Sequence, residues 1–153
     1  MTKLEIIQII SGFVGTLGFT VLFNLRGKRL VFTALGGLLS WTLFVVFSKF
    51  IENEPLNYFF VALIISVYAE VMARTLKSPT TTFITASLIP LIPGGSLYYT
   101  MANALSSNRE NFIEKGIYTL QLASALALGI IVAVASTKII SDAIQKRKAN
   151  VNK

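Results

Sequence analysis

Two groups of residues in this chain have types and spacing that could do chemistry. The first is Glu70 with Arg74, four apart on one helical face and in the order that favours ion pairing along a helix. An ionisable group inside an apolar run points to function, because its burial costs several kcal/mol unless it is paired. Glu70 lies about 6 Å inside Arg74, so it belongs to a vestibule or to an interfacial salt bridge with Arg74 reaching the headgroups. The second is Pro90, Leu91, Ile92, Pro93, Gly94 and Gly95, at the middle of an uncharged run over residues 80–105. Proline removes backbone donors and frees carbonyls, and Gly94 and Gly95 are expected to let the chain change direction cheaply. A half-helix starting near Ser96 would aim its first amides and its positive end at the break, a geometry suited to a carboxylate. Ser96, Tyr98 and Tyr99 add hydroxyls. A proline kink packed against neighbouring helices is the alternative. Asn24 is a third polar candidate, either a helix cap or a ligand contact.

The elements that position these residues follow from composition. The 153-residue chain is 54% hydrophobic and 14% charged, too apolar for a soluble domain of this length. It has no Cys and no His, so no thiolate or imidazole site, metal site or cofactor is expected. Asp142 and six glutamates make up the acidic residues, and only Glu70 lies within an apolar run; an enzyme is not expected. The net charge of +7 fits basic loops beside a membrane better than nucleic-acid binding. The long first apolar run, with only Lys3 before it, does not read as a cleavable signal.

Apolar runs at about 4–25, 30–50, 56–73, 80–105 and 116–137 each have the length of a membrane span. The fold expected over residues 1–153 is a single all-α transmembrane domain, a polytopic integral membrane protein of five helices. The fourth helix is broken between Pro90 and Gly95, and a basic tail covers 138–153. Ten of the fourteen Lys and Arg fall on one side of this map, which places the N-terminus outside and the C-terminus in the cytoplasm. Ser78 and Pro79 suggest a cap followed by proline in the first turn. Ser107 to Glu110 suggests a capping box, so the last helix starts ahead of Gly116. Ile140 and Ile144, among Lys138, Lys146, Arg147 and Lys148, predict a helical tail near lipid headgroups or in solvent. Tyr58 suits an aromatic belt, and Trp41 suits internal packing. Small residues mark packing faces: Ser11, Gly15 and Gly18; Gly36 and Ser40; Ala125, Gly129 and Ala133, the last expected to pack against another subunit.

A resemblance emerges at these residues. Gly18 to Asn24 (GFTVLFN) before a basic loop, Ala69 to Pro79 (AEVMARTLKSP), and Ile89 to Gly94 (IPLIPG) followed by Tyr98 together resemble the small YjjB-type proteins of the threonine/serine exporter family. The likeness runs over about residues 12–137 and corresponds to the C-terminal membrane half of the family's one-chain form. It implies an inner-membrane, multi-pass component of a secondary exporter that moves threonine, serine or a related small carboxylate outward at the expense of the proton gradient. It also implies a second membrane subunit resembling the N-terminal half (YjjP-like), association into an oligomer, and no enzymatic activity. The positions carried over are Asn24, Glu70, Arg74, Pro90, Pro93, Gly94 and Tyr98. Rival expectations are a non-transporting assembly subunit and a homo-oligomeric channel.

Overall fold

The computed structural model describes residues 2–106 and 109–151. Its elements are α1 (Lys3–Leu22), α2 (Lys28–Phe47), α3 (Glu54–Thr75), α4 (Thr80–Ser87), a 3-10 turn (Ile89–Leu91), α5 (Gly94–Leu105) and α6 (Arg109–Val151); no strand occurs among the described residues. Four of the helices, α1, α2, α3 and the stretch Arg109–Ser141 of α6, are long and apolar enough to cross a membrane. The run 80–105 does not form one such helix. It is two short helices joined by the turn, as Pro90 and Pro93 predict.

Local chemistry sets the helix ends. Thr2 and Glu5 form a capping box at the start of α1. Asn53 Oδ1 accepts from the Leu56 amide to open α3, with Pro55 in its first turn. The α4 cap departs from the sequence expectation: Pro79 itself occupies the N-cap, and Ser78 Oγ donates to the Leu76 carbonyl instead. The cause lies just before it. Lys77 adopts φ 48°, and the Ser78 amide closes the end of α3 on the Ala73 carbonyl, which turns the Ser78 side chain away from α4. The expected capping box of the last helix involves Ser107 and Asn108, outside the described residues. That helix does start ahead of Gly116, at Arg109, and it remains helical into the basic tail. Ile140 is exposed there; the side chains of Ile144, Lys146, Arg147 and Lys148 lie outside the described set.

Packing is by small residues. A Cβ on Gly37 would stand 2.5 Å from Thr16 Cβ, which closes α1 on α2. One on Gly36 would stand 2.9 Å from Ser87 Cβ, which brings α4 onto α2. One on Gly129 would stand 2.5 Å from the Phe59 carbonyl oxygen. Gly129 and the buried Ala133 thus face α3 within the chain, not another subunit as expected, because α3 presents Ala62 and bare backbone to receive them. Ser11, Gly15 and Gly18 of α1 remain exposed. Tyr58 also departs from its expectation. It is buried, with its ring edge-on to Phe44 at 5.1 Å, because α2 covers that face of α3. Trp41 packs as expected, stacked on Phe44 at 5.1 Å.

Side-chain contacts give the helix directions. Tyr68 donates to the Phe32 carbonyl at 2.7 Å and Asn57 to that of Phe44 at 3.1 Å, so α2 and α3 are antiparallel. Glu54 bonds Tyr118, and Arg74 reaches the Thr137 carbonyl at 3.3 Å, so α3 and α6 are parallel. Two parallel neighbours require the segment between them to carry the chain back from the Arg74 end to the Glu54 end. Helices α4 and α5 share that return. α4 lies against α2 and α3, whereas α5 packs on α6.

The chain exposes 9942 Å², against about 7,600 Å² for a water-soluble monomer of this size. Much of the excess is apolar: Leu4, Ile7, Ile10 and Val14 on α1, and Ile117, Leu120 and Ile131 on α6. Such faces suit lipid or other membrane chains as solvent.

Candidate functional site

The break is built from backbone bonds. The Leu88 amide caps α4 on the Ile84 carbonyl, and the 3-10 turn closes with Leu91 N–H to the Leu88 carbonyl at 2.9 Å and Ile92 N–H to the Ile89 carbonyl at 3.1 Å. Pro93 then sits at φ −75°, ψ 59°, the centre of an inverse γ-turn in which the Gly94 amide donates to the Ile92 carbonyl at 2.6 Å. The change of direction therefore belongs to Pro93 and the 3-10 turn. Gly94 and Gly95 are not the flexible joint the sequence suggests: neither has a positive φ, and both are helical residues of α5. Their contribution is space. A Cβ on either would meet no described atom within 4 Å.

With the Gly94 amide engaged, Gly95 and Ser96 contribute first-turn amides that an α-helix cannot pair by itself. Beside them Tyr98 and Tyr99 are exposed, their rings edge-to-face at 5.5 Å. Ile92, Leu97 and Met101 are exposed as well. The start of α5 thus opens outward from this chain and not into its own core. The opposite side of the break turns inward: Leu88 and Leu91 are buried against the α2–α3 seam, and Pro90 lies by Gly12 and Trp41.

Glu70 and Arg74 meet as their spacing predicts. Arg74 Nη2 lies 3.0 Å and Nε 3.2 Å from Glu70 Oε1. The other carboxylate oxygen accepts from Thr80 Oγ1 at 2.7 Å. Arg74 also donates to the Thr137 carbonyl, so this cluster ties α3, α4 and α6 together. Pro90 lies ten residues beyond Thr80, about 15 Å along a helix, so the pair stands apart from the break.

Asn24 is a cap. It adopts φ 55°, with its amide on the Val21 carbonyl and the Leu25 amide on that of Thr20, a left-handed helix ending. Its side chain accepts from Arg26 Nε at 3.2 Å. Gly12, the α1 residue beside Pro90, is twelve positions away, about 18 Å along the helix, so Asn24 and the break are not brought together. Near Asn24 a cleft of about 230 Å³ opens between Phe23, Leu25, Thr81, Thr82 and Thr85. Those threonines were not singled out from the sequence, although three hydroxyls beside the basic end offer polar contacts along α4.

Ser40 is buried, as its place on a packing face predicts, whereas the buried Asn57 and Ser66 were missed; the signal for them was a polar residue within an apolar run.

The sequence model of the family described as Threonine/Serine exporter, ThrE matches residues 8–136, most of the chain. No curated protein and no solved structure matches it.

Proposed function

The chain belongs to the threonine/serine exporter family, and from that premise we propose that it is one subunit of a proton-coupled secondary exporter in the cytoplasmic membrane. The observation that carries this reading is the broken helix. Irregular backbone at membrane depth persists where it is covered by protein or lines a polar cavity, and in transporters it marks substrate sites. The substrate is threonine, serine or a related small carboxylate. Its carboxylate meets the Gly95 and Ser96 amides at the positive end of α5, beside Tyr98, with Pro90, Pro93 and Gly94 shaping the approach. Because this end opens outward from the chain, a second subunit resembling the family's N-terminal half closes the cavity, within an oligomer.

Five crossings fit the parallel α3–α6 pair, with α4 and α5 sharing one of them. The end carrying Arg26, Lys28, Arg29, Arg74, Lys77 and Lys138 faces the cytoplasm, and the N-terminus faces outside. Glu70, with Arg74, is the coupling carboxylate or the partner of the substrate ammonium group. One observation favours a second reading: both Glu70 oxygens are already engaged, which suits an assembly subunit whose Glu70–Arg74–Thr80 cluster is a structural clasp.

Export of labelled threonine, serine and succinate from cells lacking the native system separates the readings. The cells carry this chain, the partner, or both. Flux only with both chains, lowered on the order of tenfold in Gly94→Leu at matched membrane abundance, is the expected result. Undiminished flux in that variant moves the site to the partner. Flux from this chain alone, without proton dependence, indicates a homo-oligomeric channel.

A further inference from the structure

The cleft beside Asn24 is walled by three threonines whose hydroxyls have no partner among the described residues. It measures about 230 Å³ and lies between Phe23 and Leu25, at the end of α1, and Thr81, Thr82 and Thr85 on α4. Every other threonine of the chain makes a side-chain hydrogen bond. Thr81 and Thr82 stand in the first turn of α4, where no helix carbonyl lies one turn back. Thr85 has one, that of Thr81. Thr16, Thr33 and Thr42 use the equivalent carbonyl, and Thr85 does not.

The two sides of α4 differ in kind. Phe83 is buried with Ala69 and Ala73 of α3, and Ser87 bonds the Thr33 carbonyl of α2. On the other side Thr81 and Thr85 are exposed and Thr82 is half-buried. This chain closes neither the cleft nor the start of α5.

Charge around the cleft has one sign. Leu25 runs directly into Arg26, Lys28 and Arg29, and Lys77 comes four residues before Thr81; all four cations are exposed. No acidic residue occurs in residues 6–51 or 71–109, the segments that supply both walls. Glu70, which reaches α4 at Thr80, has its oxygens engaged by Thr80 and Arg74. Hydroxyl donors beside cations suit an oxyanion, whereas a cation would find no countercharge. The occupant is small, since pockets for drug-sized ligands run to roughly 300–1,000 Å³.

We propose that Thr81, Thr82 and Thr85 form an entry site that takes the substrate's carboxylate from the cytoplasm before it reaches the break. The entry site rests on the exporter reading and the orientation that goes with it, and it adds a second station to the path. Thr85 stands five residues ahead of Pro90, about 8 Å along a helix, so α4 joins the two stations. Neutral hydroxyls near a solvent-screened basic loop hold an anion weakly. That suits a site which must pass its ligand on.

The test uses inside-out membrane vesicles carrying this chain with its partner subunit, with labelling read on this chain. Because the chain has no cysteine, Thr85→Cys places one thiol at the cleft, and Lys138→Cys, exposed on α6, is the comparison. Threonine, serine or succinate is expected to slow maleimide labelling of Thr85→Cys by roughly threefold at about twice its Kd, and to leave Lys138→Cys unchanged. Thr81→Val and Thr85→Val keep the side-chain shape. Each is expected to raise KM for export on the order of tenfold, the loss of one hydrogen bond to a charged group, with the maximal rate within about twofold. Labelling that none of the three slows, or a lower maximal rate at unchanged KM, would overturn the entry site. Slowing by added short-chain phosphatidylglycerol but by none of the carboxylates would overturn it in favour of a lipid headgroup. Absence of export of all three by the unaltered pair would sink the exporter reading, while the labelling still decides whether the cleft holds a carboxylate.

Discussion

The hydroxyl of Thr80 donates to Glu70 Oε2 at 2.7 Å, so the first residue of α4 is tied to a carboxylate near the end of α3. Arg74 holds the other oxygen, and its side chain is half exposed while that of Glu70 is largely covered. Charge-assisted bonds of this kind are stronger than neutral ones, but exposure of the guanidinium limits their worth. Glu70→Gln and Thr80→Val are each expected to destabilise the purified protein by about 1 kcal/mol. The double variant should cost less than the two together, since Thr80→Val deletes the bond that Glu70→Gln weakens by removing its charge. Thermal unfolding in detergent measures this. Strict additivity would show that the contact contributes nothing. If Glu70 also couples protons, Glu70→Gln will remove the response of export to an imposed pH gradient at equal abundance.

The glycines of α6 and α1 have opposite surroundings. Gly129 faces the Phe59 carbonyl and Ala62, and backbone cannot swing aside for a new methyl group. Gly129→Ala should therefore cost about 1–3 kcal/mol through overpacking. Around Gly15 a Cβ meets no described atom within 4 Å, so Gly15→Ala should be neutral or gain a few tenths of a kcal/mol from helix propensity. Paired melting curves in the same detergent decide. A loss at Gly15 as large as that at Gly129 would mean that α1 packs against another chain.

The contrast between those glycines shows where sequence reasoning stopped. Apolar run length placed α1, α2 and α3 within a few residues, because a bilayer demands about 20 apolar residues per crossing, but it caught only the middle of α6. Pro90 and Pro93 announced the break, since a missing amide cannot be replaced inside a helix. The partner of each small-residue face was not legible. Gly129 and Ala133 could have met any flat surface, and only the fold shows that α3 provides it. Tyr58 was misplaced for the same reason: its aromatic type fits both a headgroup belt and a core, and α2 covers it. Caps were read as isolated motifs, yet the turn at Lys77 decided what Ser78 could do. At the candidate site, Glu70 and Arg74 were found by spacing alone. Ser40 was read only for its small size and Asn57 not at all, because burial of a polar group is a property of three dimensions.

At the break, shape and conformation separate. Gly94 needs no left-handed backbone and has open space, so Gly94→Ala should fold and keep most of its export activity. Gly94→Leu should also fold, yet its side chain would crowd the first-turn amides of α5 and lower export on the order of tenfold, the loss of one charge-assisted bond. Membrane abundance with labelled-threonine flux checks both. Equal flux in the two variants would remove the start of α5 from the substrate path.

The chain has no cysteine, so single cysteines can report topology without background. Glu52 follows α2, Lys28 opens it, and Ser106 ends α5; all three are exposed. With five crossings, Glu52→Cys and Ser106→Cys should react with a membrane-impermeant maleimide in intact cells. Lys28→Cys should react only after permeabilisation if, as proposed, the basic end faces the cytoplasm. Ser106 is the decisive position. If α4 and α5 entered and left on one side, Ser106 would be labelled together with Lys28. The parallel run of α3 and α6 argues against that, because Tyr118 of α6 meets Glu54 at the start of α3, and Leu105 lies only four residues ahead of Arg109. Labelling of Ser106→Cys with Glu52→Cys would therefore fix the broken helix as a complete crossing, and its break as a membrane-embedded one.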